Sequence, residues 1–370
     1  MTRVLITGGA GFIGSHAADA LLDAGYEIRL LDNLCAQVHG RHGQRPAYLN
    51  RDAELVVGDV ADPSAVERAM RGVDKVLHLA SSVGVGQSMY DIESYVRNNE
   101  LGTAVLLQAL TKRPVERLVV ASSMSIYGEG SGRTSDGREV TPEQRSIDQL
   151  RRGLWELTDG RGRLIEPIPT AETKQPTLSS IYALNKFAQE RMSLIVGKAY
   201  GIPTVALRFF NVFGPRQALS NPYTGVLAIF AARLLNDRPP LVFEDGQQRR
   251  DFVHVRDVAR ACVLVLNSDQ SDDVFNVGSG QSRTILSVAR DLARVMRRPA
   301  AVPMITGKYR AGDIRHCFAD IRKSRELLGF EPSVSFDDGL DELAGYLADQ
   351  VADDRIENAT NELLQRGLVA

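Results

Sequence analysis

Arg3-Val4-Leu5-Ile6-Thr7-Gly8-Gly9-Ala10-Gly11-Phe12-Ile13-Gly14-Ser15 decides the fold. Its apolar start has the length and branching of a strand, and the residues after Gly11 open an amphipathic helical pattern over 12–24. Between the two, glycines allow a tight turn and let backbone N–H groups approach a pyrophosphate at a helix N-terminus. Two spacings overlap here. Gly9, Gly11 and Gly14 fit G-x-G-x-x-G, whereas Gly8, Gly11 and Gly14 fit G-x-x-G-x-x-G, so the pattern alone selects no subfamily.

Working outward, short apolar runs at 3–7, 27–31, 54–57, 74–79, 117–122, 204–208 and 274–277 read as strands. Helical patterns at 12–24, 63–71, 98–112, 180–200, 225–236, 255–267, 284–297, 320–328 and 336–349 lie between and after them. Several strands are apolar throughout, as expected where both faces are covered. The alternation predicts an α/β chain built on a doubly wound parallel sheet with a smaller C-terminal substrate-binding region. The expected division is 1–208 for cofactor, 209–350 mainly for substrate, with a returning strand near 274–277 and a peripheral tail over 351–370. Residues 129–178, rich in glycine and holding the single tryptophan Trp155, form an insertion that reads as a lid, a partner contact or surface decoration.

Composition narrows the classes. The chain has 370 residues and a net charge of −2, with no basic stripe to neutralise nucleic acid. Cys35, Cys262 and Cys317 are far apart and the six histidines lack ligand spacing, so neither a disulfide framework nor a metal site is expected. His78 and His254 lie in strand-like runs and read as core groups. A reducing cytoplasm fits, with no membrane segment or targeting segment expected.

Asp32 ends the second strand, where a carboxylate accepts from adenosine ribose hydroxyls and repels a 2′-phosphate. That favours NAD over NADP, although Asp32 could equally be a turn residue before Asn33. Gly58-Asp59-Val60 follows the third strand, and Asp59 could accept from the adenine amino group. Leu79-Ala80-Ser81 closes the fourth strand on the ligand side of the sheet. Tyr182-Ala183-Leu184-Asn185-Lys186 sets a phenol and an ammonium on one helical face. A tyrosine pKa of about 10 makes a poor base at neutral pH, and an adjacent cation would lower it. Taken alone, Y-x-x-x-K is as readily an exposed helix pair. The fifth strand ends in Ala121-Ser122-Ser123-Met124-Ser125-Ile126-Tyr127-Gly128, and a hydroxyl there, Ser123 in preference to Ser122, could hold a substrate oxygen.

T-G-G-A-G-F-I-G, Asp32, Gly58-Asp59-Val60, S-S-x-x-x-Y-G and Y-x-x-x-K together resemble the extended short-chain dehydrogenase/reductases, a Rossmann-fold family. Leu207-Arg208-Phe209-Phe210-Asn211-Val212-Phe213-Gly214-Pro215-Arg216-Gln217, Arg250-Asp251-Phe252-Val253-His254-Val255 and Arg310-Ala311-Gly312-Asp313-Ile314 resemble the nucleotide-sugar 4-epimerases and dehydratases. The resemblance implies catalytic roles for Ser123, Tyr182 and Lys186. It implies cofactor contacts from Gly8, Gly11, Phe12, Ile13, Gly14, Asp32, Asn33, Asp59, Val60, Leu79, Ala80, Ser81, Asn99, Tyr182, Lys186 and Phe210. The sugar nucleotide would meet Ser88, Ser123, Tyr182, Asn211, Val226, Leu227, Phe243, Arg250, Arg310 and Asp313. Forked guanidinium groups suit a diphosphate, though either arginine could be a surface ion pair.

Dehydratases and decarboxylases of this kind carry acids just after the active-site Ser or Thr, where this chain has Met124 and Ser125. An epimerase is therefore expected. The implied mechanism takes the proton of the sugar 4-hydroxyl onto Tyr182 while hydride leaves C4, turns the 4-keto sugar, and returns the hydride to its other face. Val83-Gly84-Val85-Gly86-Gln87-Ser88-Met89-Tyr90, the insertion, Ser220-Asn221-Pro222-Tyr223-Thr224-Gly225-Val226 and His316-Cys317-Phe318-Ala319-Asp320 look most like dTDP-L-rhamnose 4-epimerases, which make dTDP-6-deoxy-L-talose. UDP-glucose/UDP-galactose or UDP-N-acetylhexosamine epimerisation, net reduction or dehydration, and a non-catalytic cofactor sensor stay open. Cys317 matches a position that limits substrate bulk in UDP-sugar epimerases, or is simply a small buried residue. The family also implies a homodimer through helices 98–112 and 180–200.

Overall fold

The computed structural model describes residues 1–40, 43–223, 225–310 and 312–370; Thr224 and Ala311, quoted in two of the motifs, lie outside the described residues. Strands β1 (Arg3–Thr7), β2 (Glu27–Asp32), β3 (Glu54–Val57), β4 (Lys75–His78) and β5 (Arg117–Ser123) join Thr204–Phe209 and Asp273–Val277 in one seven-stranded sheet. Every pairing in it is parallel. Its order runs Asp273–Val277, Thr204–Phe209, β5, β4, β1, β2, β3. The chain therefore winds outward from β1 to β3, returns to the other side of β1 and winds away. This reversal between β1 and β4 leaves a crevice at the strands' C-terminal ends, where ligands bind in such sheets.

Alternation along β1 explains the layers. Val4 and Ile6 point into a core shared with helices Phe12–Asp23 and Val255–Asn267, through Ala17, Leu21, Val258 and Cys262. Leu5 points the other way, into a core with Val66 of Pro63–Ala69, Leu106 and Leu110 of Gly102–Lys112, and Met192 and Val196 of Ile181–Tyr200. Each fully buried Leu, Ile or Val adds roughly 1.5–3 kcal/mol, so a strand apolar on both faces is fixed in the middle of the sandwich. The seven strands lie within one residue of their expected ends.

The C-terminal region has its own core. Phe213, Phe230, Phe252 and Phe336 meet between a small sheet (Asn211–Phe213, Arg249–His254, Ser282–Thr284, His316–Cys317) and helices Val226–Leu235, Ile285–Val295 and Phe336–Leu347. Helix Val255–Asn267 and strand Asp273–Val277, although they follow residue 209, belong to the large sheet.

Three departures concern the site. The helix expected at 98–112 is regular only over Gly102–Lys112; before it the chain makes a π-helical turn, Val96–Leu101, and a short helix, Ile92–Tyr95. The insertion is neither a lid nor loose decoration. Its small sheet (Gly132–Arg133, Glu139–Val140, Glu166–Pro167) and helix Ile147–Arg151 are tied to the C-terminal region by the ion pairs Arg145–Glu244 and Glu156–Arg315, and no residue of 129–178 lines the main cavity. The tail expected to be peripheral contains helix Ile356–Gln365, with Ile356, Ala359 and Leu363 buried and facing the cavity.

Candidate active site

A cavity of about 740 Å3 opens at the C-terminal ends of the strands and runs on between the two cores. One end is floored by the glycine turn. Gly8 has φ +67, and a Cβ there would lie 2.9 Å from backbone atoms of Ala80. A Cβ at Gly14 would come within 2.3 Å of the Gly8 carbonyl oxygen. Gly11 caps helix Phe12–Asp23 without a side-chain bond, which leaves the first N–H groups of that helix facing the cavity. The cradle fits a dinucleotide pyrophosphate.

At the same end, Asp32 is oriented by its neighbours. Its Oδ2 accepts from Ala10 N at 3.0 Å and its Oδ1 from Leu34 N at 2.9 Å, while His39 Nε2 lies 3.5 Å away. A carboxylate has acceptor sites beyond these, so Asp32 can still take ribose hydroxyls. Asn33, Asp59, Val60, Leu79, Ala80, Ser81 and Phe210 line the wall beside it. Asn99 does not. It is fully buried by the π-helical turn, and its Oδ1 accepts from Ser82 N at 2.7 Å, so it shapes the loop after β4 from behind.

Helix Ile181–Tyr200 brings the phenol and the amine to the middle of the cavity. Ser180 starts it, its hydroxyl accepting from Ala183 N at 3.1 Å, and Gly201 at φ +68 ends it. Ser123 closes β5 opposite, and its side chain lines the same cavity as the Tyr182 phenol, favouring the charged form of that phenol. Lys186 is buried and donates to Gln189 Oε1 at 2.9 Å. Behind it a polar chain continues: Gln189 Nε2 donates to Thr103 Oγ1 at 2.8 Å, and the His78 ring bridges Thr103 and Thr7 at 2.8 and 2.7 Å. His78 is a satisfied core group, held neutral with its pKa lowered to about 3 by burial and by the Lys186 charge.

The electrostatics depart from the expectation that Lys186 makes Tyr182 acidic. Burial dominates both groups: it pushes Tyr182 up to about 12, against a smaller lowering by Ser123, and brings Lys186 down to about 7, against a smaller raising by Glu190. A side chain shielded from water resists charge whichever sign it would carry.

The other end of the cavity is built from distant pieces. Asn211, Val226, Leu227, Arg250, Arg310 and Asp313 line it; Phe243 does not, but lies under the Arg310 guanidinium, 4.6 Å from ring centre to Cζ. Arg310 Nε and Asn211 Oδ1 are buried without a hydrogen-bond partner among the described residues. A polar atom left in that state costs stability unless a ligand satisfies it. Arg250 reaches the Arg315 carbonyl at 3.0 Å and the Asp313 carboxylate at 3.7 Å, joining the clamp to its own backbone. Ser88, like Asn99, acts from outside the lining: its Oγ accepts the Tyr182 backbone N–H at 3.0 Å. Cys317 lies in a buried cluster with Met124, Tyr127 and Phe210 and does not border the cavity, so its small size serves packing.

Beside Ser123, the lining residues are Met124 and Ser125; the lining acids among the described residues are Asp32, Asp59, Asp91 and Asp313. The sequence profile of the NAD dependent epimerase/dehydratase family matches residues 4–147 and 161–278. The chain belongs to this family. It is an NAD-dependent sugar-nucleotide epimerase by kinship and fold. It is 36% identical over 355 residues to the dTDP-L-rhamnose 4-epimerase of Burkholderia thailandensis, covering 94% of this chain and 96% of the relative. The crystal structure of Thermus thermophilus UDP-glucose 4-epimerase with NAD superposes with a TM-score of 0.75 at 31% identity, covering 95% of this chain and all (100%) of that one. UDP-glucuronic acid 4-epimerase of Bacillus cereus, solved with UDP-glucuronic acid and NAD, gives 0.75 at 27% identity, covering 94% and 99%.

Tyr223 stood in a quoted motif without a site role, and no motif pointed to the tail residues Ile356, Ala359, Thr360 and Leu363; all of these line the cavity of this epimerase. The tail carried a signal in its apolar spacing, but a helical period names a buried face without naming what that face covers.

Proposed function

We propose that the protein is a nucleotide-sugar 4-epimerase acting on dTDP-L-rhamnose to give dTDP-6-deoxy-L-talose, through transient oxidation at C4. The observation that carries the reaction type is the pairing of Tyr182 and Ser123 across one cavity, with Met124 and Ser125 where a dehydratase needs acids. The thymidine and rhamnose parts rest on the Burkholderia relative. Ser88, Asn99 and Phe243 support the site as positioning residues, behind those that touch ligand.

In this mechanism Ser123 and Tyr182 hold the 4-hydroxyl, and Tyr182 takes its proton as C4 is oxidised. The chemistry that bound NAD supplies is a hydride acceptor that later returns the hydride, and a positive ring that favours the phenolate. Lys186, steadied by Gln189, would hold the nicotinamide ribose. Arg310 and Arg250 clamp the diphosphate while the 4-keto sugar turns, and Tyr182 then gives the proton back. Phe12, Ile13, Gly8, Gly11 and Gly14 would seat the pyrophosphate.

Chromatography of products from a panel of dTDP- and UDP-sugars tests this reading. The expected result is interconversion of dTDP-L-rhamnose and its C4 epimer with no net NADH; stoichiometric NADH release would exclude epimerisation, and turnover of UDP-glucose alone would move the substrate to the uridine series. Tyr182→Phe should lower kcat by ~10²–10⁴-fold with bound NAD unchanged.

We also propose a homodimer, because Leu101, Leu184 and Ile195 expose apolar side chains on the two helices expected to pair. Light scattering should return twice the 40.5 kDa of one chain; a mass of one chain would remove the proposal.

A further inference from the structure

Residues 352–370 cross the rim of the cavity as a strap with three anchors. At its start the Asp354 carboxylate, whose side chain is 4% exposed, pairs with Arg233 at 3.3 Å and Arg238 at 3.2 Å. Midway, the Glu362 carboxylate accepts from the Tyr90 and Tyr223 hydroxyls, each at 3.0 Å. At its end, Ala370 and Tyr309 exchange backbone hydrogen bonds of 2.9 and 3.1 Å, and Val369 bridges Arg310. The strap thus reaches from the diphosphate clamp to the loop after β4.

Between the anchors, helix Ile356–Gln365 turns Ile356, Ala359 and Leu363 into the cavity, exposed by only 5, 5 and 4%. Their spacing places them on one face. Leu363 meets Gly86, where a Cβ would sit 3.3 Å from Leu363 Cδ1. Gly86 belongs to the short helix Val85–Ser88, whose last residue holds the Tyr182 backbone N–H. Leu363 is therefore two contacts from the residue that handles the sugar proton. Lysine and arginine among the described lining residues are limited to Lys186, Arg250 and Arg310. The strap's own Arg355 and Arg366 are about half exposed, at 55 and 47%, and pair outside the cavity with Asp353 and Glu362.

We propose that this helix is the wall against which the hexosyl group rests, and that Leu363 is a specificity-determining residue admitting a sugar uncharged at C6 and rejecting a hexuronosyl group. The inference rests on the nucleotide-sugar reading above. A C6 carboxylate pressed against Leu363, Ala359 and Ile356 would lose water without gaining a cation, and unpaired buried charge is strongly disfavoured. A methyl or hydroxymethyl group meets no such barrier.

Dissociation constants of UDP, UDP-glucose and UDP-glucuronic acid test it on the NAD-bound protein. UDP-glucuronic acid should bind at least ~tenfold more weakly than UDP-glucose, since an apolar pocket rejects even a neutral added hydroxyl by about 10²-fold. Leu363→Arg should shift that ratio at least ~tenfold toward the uronate, with UDP affinity and NAD content unchanged. The milder Leu363→Ala should weaken UDP-glucose binding and leave UDP binding alone. Equal binding of both sugars by the unaltered protein, or an unmoved ratio in Leu363→Arg, overturns the wall. Failure to form any epimerised product while these ratios hold would instead overturn the proposed reaction.

Discussion

The cofactor end of the cavity and the end proposed for the sugar nucleotide are built on opposite plans. At the cofactor end, contiguous residues do most of the work: the turn Gly8–Gly14 supplies backbone N–H groups, and Asp32 sits at the end of the adjacent strand, bonded to Ala10 and Leu34. The sugar-nucleotide end draws Arg250, Arg310, Tyr223 and Leu363 from segments far apart in sequence and holds them with charge. Arg315, with no exposed surface, bonds Glu244, Asp245 and Glu156, while its backbone N–H donates to Glu129. Arg145 of the insertion pairs with Glu244 at 2.9 Å and donates to the Asp313 carbonyl at 3.1 Å. The His316 hydrogen bond, with Arg315 beside it, holds the Glu156 carboxyl down at about 2, whereas burial raises Glu129. The insertion is thus a brace behind the clamp. A site read through backbone tolerates little bulk, and a site read through side chains tolerates little loss of charge.

That contrast can be broken at three points. Arg315→Leu should have the largest effect, about 3–5 kcal/mol of lost stability, because it removes the fully buried guanidinium that Glu244, Asp245 and Glu156 share and leaves the buried Glu244 to Arg145. Denaturant unfolding reads it, and nucleotide-sugar affinity should fall while bound NAD persists. If NAD is lost in step, the two ends are not independent. Gly14→Ala comes next, at roughly 1–3 kcal/mol, since its methyl would meet the Gly8 carbonyl backbone, which cannot swing aside. NAD content after purification should drop with UDP binding retained; full NAD content would show that the turn is less tightly set than its geometry states.

The smallest effect is a pH dependence to which the cofactor end contributes through His78 and His16, beside His254 and His316 of the C-terminal sheet, which burial lowers in the same direction. His78 is lowered to about 3 and His16 to about 4, mainly by burial, so both stay neutral in the folded protein where the unfolded chain begins to protonate. Below about pH 6.5 the unfolded state binds more protons, and stability falls as pH falls. Asp251, raised to about 6 by burial, acts in the opposite direction over the lower part of that window. His78→Gln should flatten the slope of unfolding free energy by up to about 1.4 kcal/mol per pH unit. An unchanged slope would assign the acid sensitivity to other groups.

Legibility followed the same division. The strands, the glycine turn, Asp32, and the Tyr182 and Lys186 pair could be read because each is a short-range pattern: alternation, a turn or one helical repeat. Ser88, Asn99 and Phe243 were expected to touch ligand, and the packing places them behind the wall of the cavity instead. The pKa of Tyr182 in the ligand-free chain lay beyond local pattern for a related reason. Spacing on a helix gives neighbours, whereas the protonation of a buried phenol depends on everything that excludes water from it.

By itself, then, the sequence determined the doubly wound sheet, the dinucleotide end of the cavity and the helix that carries Tyr182, since these follow from residue periods and backbone freedom over a few positions. The tertiary structure decided what the insertion and the tail are for. Glu129 and Arg315 lie 186 residues apart, and Tyr90 and Glu362 lie 272 apart. No local pattern encodes such partners, because a charge or an apolar stripe specifies that something must cover it and leaves the identity of that cover to the folded chain.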